Sequence, residues 1–323
     1  MTSSNTSWDT VLLWKSVMLP YFASTEPAIT LPSAEEIRGC TNVLHERFRA
    51  KIVAVTEQIV AKFGGNVLER KGQALIYLER DVPKVPAPRL YAMYYHEDEL
   101  FLVMQRAPGV QLEKLWPFLT GLEKQSIVIK LQDIFEKQFI VTKLQDIFNH
   151  LRETVCPIPD YFGGLAGEAV NYHLFFNQKG DGQSLLGPFH GEAAFTEGLT
   201  SNFRALRENN GHPVLKAQVW GEHLGKVLRD LRPTLTHGDV QRRNIVVAER
   251  TDCTVEGGQR IFDVFLVDWE MAGWLPRFWE FFIVSKRYHF TDLDEDWWLH
   301  LGKFLDVRLG EAATLSTFEQ DYS

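Results

Sequence analysis

Apolar and polar positions change period several times along this chain, and each change marks an element. In "PSAEEI", Ser33 stands three residues before Glu36, a capping box that opens a short helix. "RAKIVAVTEQIVAKF" (49–63) alternates with a period of two and predicts two strands around a turn near Thr56-Glu57. "ERKGQALIYLERD" (69–81) switches to helical spacing, "VPKVPAPRL" halts it, and "YAMYYHEDELFLVMQ" (91–105) predicts a hairpin closed by His96 to Glu99. Ahead of these, "WDTVLLWKSVML" (8–19) carries the spacing of a short amphipathic helix. Beyond Pro108-Gly109 the pattern is mainly helical, with connected short elements over 157–212, where Gly, Pro, Asn and aromatics abound. "PVLKAQVWGEHLGKVLRDLRP" predicts another helix, residues 251–260 a polar hairpin tip, and "IFDVFLVDWEMAGW" a buried strand running into a turn. The remainder to Ser323 is helical and aromatic. These periods predict an α+β protein: a helical extension (1–30), a small β-rich lobe (31–106) and a larger, mainly helical lobe (107–323).

A repeat interrupts the second lobe. "KLQDIF" occurs at 130–135 and again at 143–148, within a long helical pattern over 121–154. Thirteen steps turn a helix face by about 220° beyond whole turns, so both copies cannot present Leu, Ile and Phe to one core. A local tandem duplication that lengthens the helix explains it, with one copy partly exposed.

Composition narrows the class. The 323 residues are 45% hydrophobic and 24% charged, the balance of an ordinary soluble globular protein. A formal charge of −8 argues against a nucleic-acid or anionic-membrane partner, which needs basic surface. Cys40, Cys156 and Cys253 are far apart and form no CxxC pair, so they read as free thiols of a reducing compartment. With no signal-peptide pattern and no apolar run of membrane-spanning length, a cytoplasmic location is expected.

Chemistry enters at "LTHGDVQRRNIVV" (235–247). Phosphoryl transfer from ATP needs a carboxylate to orient the incoming hydroxyl and accept its proton, and oxygen ligands that hold Mg2+ against the phosphates. Asp239 after His237-Gly238, with Asn244 five residues on, has the spacing of that catalytic loop. Asp268 ends the apolar run of "VFLVDWE", where a second metal ligand belongs. Each signal alone is weak; in this order, each at a strand end, they point to Asp239 as catalytic and to Asn244 and Asp268 as metal ligands.

With these residues the chain resembles the aminoglycoside phosphotransferase family, the small-molecule branch of the protein-kinase-like fold. It is most similar to uncharacterised fungal members, through "LTHGDVQRRNIVV…VDWEMAGWLPRFWE", "VPAPRLYAMY", "LFLVMQRAPGVQLEKLW" and "GPFHGEAAF". The resemblance covers roughly residues 30–320 and implies ATP in a cleft between a nucleotide-binding N-lobe and a catalytic C-lobe. It implies Lys62 as the strand lysine on the phosphates and Met104 to Ala107 as the adenine hinge, with Gln105 and Ala107 as backbone candidates. It implies a phosphate-covering loop near Gly39-Cys40-Thr41-Asn42, although no GxGxxG is present. The acceptor implied is a hydroxyl of a small molecule.

One departure stands out. Relatives read "EGQAL" where this chain reads "KGQAL", so Lys71 occupies the position of the carboxylate expected to anchor Lys62. Two facing lysines repel, and Glu69, about 200° away on the helix, substitutes only if the helix shifts. A catalytically impaired pseudokinase or nucleotide-binding scaffold is therefore the rival expectation. A protein kinase is disfavoured, since no APE-type segment follows "DWE". Further candidates are the acids and tryptophans of "TDLDEDWWLH" (291–300) as a cation site, and Arg242 and Arg243 as phosphate contacts. Glu270, Glu280 and His237 are expected to be structural.

Overall fold

Strand alternation in the first lobe builds one antiparallel sheet with two different faces. The computed structural model describes residues 14–24, 29–119, 140–175, 183–250, 262–287 and 295–322. In chain order the first lobe holds β1 (Tyr21–Phe22), α1 (Ala34–Gly39), β2 (Val43–Arg47), β3 (Ala50–Ala54), β4 (Ile59–Gly64), α2 (Glu69–Asp81), β5 (Leu90–His96) and β6 (Glu99–Gln105). Its sheet runs β1-β5-β6-β4-β3-β2. Ile59, Ala61 and Phe63 of β4 are buried on one face with Val53, Phe101 and the Ala34 and Ile37 of α1. Because side chains alternate along a strand, Val60 and Lys62 point to the opposite face. There Met93, Leu102 and Met104 join the core that α2 covers.

Local signals explain the connections. Ser33 accepts the Glu36 N–H at 3.2 Å while the Glu36 side chain accepts the Ser33 N–H at 2.8 Å, so the capping box is complete. Thr56 Oγ1 accepts the N–H groups of Gln58 and Ile59, closing the turn between β3 and β4. Glu97 and Asp98 both have positive φ (48° and 62°), the two-residue turn whose twist suits a hairpin.

The second lobe continues with β7 (Val110–Gln111), α3 (Leu112–Leu115), α4 (Ile140–Glu153), β8 (Tyr161–Gly164), α5 (Gln183–Leu186), β9 (Phe189–His190), α6 (Glu192–Asn209) and α7 (Leu215–Val227). It ends with β10 (Pro233–Thr236), β11 (Ile245–Glu249), β12 (Phe262–Leu266), β13 (Gly273–Pro276), α8 (Trp279–Arg287), α9 (Glu295–Leu301) and α10 (Leu309–Tyr322). Two small sheets, β10-β13-β8-β9 and β12-β11-β7, sit among the helices. Trp116, Trp269, Trp274, Trp279 and Trp297 are fully buried between them. The architecture is α+β, a β-rich N-lobe with a larger helical C-lobe.

Several expectations change. Residues 14–18 form no helix, because the N–H and C=O of Val17 bond the Gln73 side-chain amide, each at 2.9 Å, instead of their own chain. Residues 8–13 of that expected helix lie outside the described residues. The stretch 157–212 is not made only of short elements: α6 is an 18-residue helix. Its Phe195, Leu199 and Phe203, spaced by four, are all buried. Gly198 lets α6 lie against Phe189, whose ring would be 2.4 Å from an added Cβ. Of the repeat, the second copy lies in α4 and buries Leu144, Ile147 and Phe148; the first copy, like the tip at 251–260, lies outside the described residues. Cys40 and Cys156 are free thiols.

Candidate active site

The turn after β10 is shaped by three residues that hold Asp239 out from the strand. Gly238 has φ of +79°, and a Cβ there would lie 2.4 Å from the Met271 carbonyl oxygen, so only glycine fits. His237 is fully buried. Its Nε2 bonds the Val267 carbonyl at 2.9 Å, and its Nδ1 accepts the Asp239 N–H at 3.2 Å, an arrangement that fits the neutral ring protonated on Nε2. From α8, Glu280 reaches back and accepts the N–H groups of His237 and Gly238. Burial pushes the Glu280 carboxyl up to about 7 despite those two bonds, with Asp239 nearby adding to the rise.

Asn244 joins Asp239 to the next strand. Its Nδ2 donates to the Asp239 carbonyl at 2.8 Å and to Asp239 Oδ2 at 3.0 Å. Asp239 also accepts from the Gln241 side chain. The Asn244 carbonyl accepts the Val267 N–H at 2.9 Å. Val267 is thus tied to both His237 and Asn244, and Asp268 follows it directly in a left-handed conformation, φ +71°. The pairing of β11 with β12 therefore brings the loop of Asp239 and Asn244 against Asp268.

Two lysines of the N-lobe close the site. Lys62 Nζ lies 2.7 Å from Glu270 Oε2 and 3.5 Å from Asp268 Oδ1. Lys71 Nζ donates to that same Asp268 Oδ1. The expected confrontation of Lys62 with Lys71 is eased and not removed: both groups share Asp268 and Glu270 takes Lys62, while Lys62 still pushes Lys71 downward. Glu69 plays no part, since it accepts the Tyr95 hydroxyl at 3.0 Å. Burial would raise the Asp268 carboxyl, but Lys71 and Lys62 hold it well below the usual carboxylate range. Burial likewise opposes the charge of Lys62, yet Asp268 and Glu270 outweigh it and raise the group. Lys71 is the most enclosed, and burial moves it below its ordinary range against the pull of Asp268.

Other candidates separate from this centre. Met104 is buried in β6, and the Gln105 N–H is used within the fold, donating to the Arg89 carbonyl at 2.8 Å. Gly39 to Asn42 end α1 and lead into β2. The turn between β2 and β3 is Phe48–Arg49, tied to Asn66 through the Phe48 and Arg49 carbonyls. Arg242 is 4% exposed and lies over the rings of Trp116 and Trp297, each at 5.9 Å, so it is a core residue and not a phosphate contact of a loop. Trp297 packs edge-on against Trp116 at 4.9 Å and belongs to the same core, not to a cation site. Asp292 and Asp294 lie outside the described residues. Arg243 Nη2 stands 3.8 Å from Asp239 Oδ2, and its side chain is partly exposed. Glu270, expected to be structural, pairs directly with Lys62; its signal in the sequence is the Asp268-x-Glu270 spacing. Among the described residues no three His, Cys, Asp or Glu side chains cluster as a metal site, and no helix is long and apolar enough to cross a membrane.

No protein-family model matches the chain, and no curated protein sequence does. Among solved structures it is similar to a thermostable mutant of aminoglycoside phosphotransferase APH(4)-Ia in its apo form, at 12% identity and a TM-score of 0.51, covering 87% of this chain and 83% of that one. It also matches aminoglycoside phosphotransferase APH(4)-Ia itself at 12% identity and TM-score 0.46, covering 89% and 84%. A ternary complex of a thermostable mutant of that enzyme with ADP and hygromycin B matches at 12% identity and TM-score 0.45, covering 78% and 72%. The first likeness covers most of the chain and shows that its fold is that of the aminoglycoside phosphotransferase APH(4)-Ia structure.

Proposed function

We propose that this chain is an ATP-dependent phosphotransferase that acts on a hydroxyl of a small molecule. The observation that carries the proposal is the convergence of Lys62, Asp239, Asn244 and Asp268 from separate segments of both lobes. Lys62 meets Asp268 at 3.5 Å, and Asn244 bonds Asp239 at 3.0 Å. In this reading Asp239 orients the acceptor hydroxyl and takes its proton as the oxygen attacks the γ-phosphorus, while ADP leaves. Lys62 holds the nucleotide phosphates, and Met104 to Ala107 receive the adenine. Most of the rate enhancement comes from positioning and fixed charge.

Mg2+ is the cation this reading implies, and the donor set fits one only in part. Asn244 turns its Nδ2 toward Asp239, which leaves the amide oxygen for a cation; Asp268 carries a second hard oxygen donor, but its Oδ1 is already bonded by Lys71. Bound there, Mg2+ would neutralise charge on the transferred phosphoryl group.

A panel of hydroxyl compounds (amino alcohols, sugars, aminoglycosides) tests the proposal through ADP release. Acceleration by one acceptor supports it. The second reading, a nucleotide-binding protein without turnover, is favoured by one feature: Lys71 already occupies Asp268 Oδ1. Tight nucleotide binding with release unaffected by every acceptor would decide for that reading.

A further inference from the structure

We propose that the Lys71 ammonium takes the place of a divalent cation at Asp268, so that nucleotide binds here without requiring a metal ion. The proposal rests on the nucleotide-binding reading above. A kinase-type site holds its strand lysine with a helix glutamate and leaves the strand-end aspartate to metal ions. Here the helix residue is a lysine, and its Nζ is bonded to the aspartate itself. Exchanging a carboxylate for an ammonium raises the local charge by two units, the charge of one divalent cation. Lys62, Lys71, Asp268 and Glu270 then sum to zero before any metal enters, whereas a glutamate at 71 would leave the four at minus two.

Lys71 is held as firmly as a bound ion would be. It is 5% exposed, on the face of α2 turned to the site. Gly72 beside it lets α2 lie flush on the sheet, since a Cβ there would stand 2.5 Å from Met93 Sδ. Gln73 is clamped at both ends of its amide by Val17. One and two turns further on, Tyr77 packs edge-on against Trp14 at 5.6 Å, and Arg80 lies over the same indole at 5.7 Å. Glu69 is fastened to Tyr95. With α2 fixed at these points, the Lys71 ammonium is kept on Asp268.

Calorimetric titration of the full chain with ADP, in excess EDTA and in excess Mg2+, tests this. Wild-type affinity is expected to differ by less than about threefold between the two conditions. Lys71→Glu and the uncharged Lys71→Met are expected to bind ADP at least about tenfold more tightly with Mg2+ than without. Thermal melting checks that each variant is folded, and the wild-type comparison decides by itself if neither is. Wild-type binding that is tenfold or more tighter in Mg2+ overturns the proposal alone. No ADP binding by wild type in either condition overturns the nucleotide-binding reading, and the proposal with it.

Discussion

Glu280 accepts the Gly238 N–H at 3.1 Å from forty-two residues along the chain, so the turn that presents Asp239 hangs on a buried carboxyl. Oε1 takes the turn's N–H groups, while Oε2 is buried without a hydrogen-bond partner among the described residues. A carboxyl in this setting holds its proton more tightly in the folded chain than in the unfolded one, which is why it rises from 4.5 to about 7.

That rise sets a pH dependence. The stabilisation is complete below about pH 4.5 and is lost as pH climbs through about 7, a change on the order of 3 kcal/mol. Wild-type melting temperature should therefore fall between about pH 5 and pH 8. Glu280→Gln, which keeps an acceptor for the two N–H groups and cannot ionise, should lose most of that slope. Parallel melting curves for the two proteins across this range would contradict the assignment.

Gly238 admits no side chain. An alanine there would carry positive φ and press against the Met271 carbonyl oxygen. Gly238→Ala should destabilise the protein by about 1–3 kcal/mol, measured by urea unfolding. Wild-type stability in that variant would mean that the turn has a different backbone.

Lys62 is the nucleotide-facing cation of the account. Lys62→Met should weaken ADP binding by about 10- to 150-fold, the worth of a charge-assisted bond, while the protein stays folded. Fluorescence titration with a labelled ADP reads this directly. Unchanged affinity would move the phosphates away from β4.

The tandem repeat predicts tolerance. Deleting residues 131–143 joins Lys130 to Leu144 and regenerates one KLQDIF, with Leu144, Ile147 and Phe148 still available to the core. The shortened chain should melt in a single cooperative transition and still bind ADP. Loss of soluble protein would make the longer segment part of the fold.

The sequence made some of these relationships visible and hid others for physical reasons. Asp239 and Asn244 were legible because one loop carries both, and Asp268 because an apolar strand ends at it. The β-hairpins were legible from period-two alternation and their turn residues. The pairing of Glu270 with Lys62 was hidden because the two are 208 residues apart and spacing along the chain says nothing about that approach. Lys71 looked like a clash with Lys62, since a local helix argument cannot see the aspartate that the C-lobe inserts between them. Glu280 was expected to be structural, but spacing along the chain could not show that it reaches the turn forty-two residues before it. α6 escaped notice because its Gly, Ser, Thr and Asn diluted the spacing of Phe195, Leu199 and Phe203.

Phosphoryl transfer itself is the most direct measurement. Phosphorus NMR of the protein with ATP, Mg2+ and an acceptor from the hydroxyl panel should show a new phosphomonoester resonance growing in step with ADP. Asp239→Asn should slow that growth by about 10²- to 10⁴-fold, the usual worth of a positioned base, with ADP affinity changed by less than about threefold. A variant that forms the phosphoester as fast as wild type, or a wild type that binds ATP and phosphorylates nothing in the panel, would contradict the account.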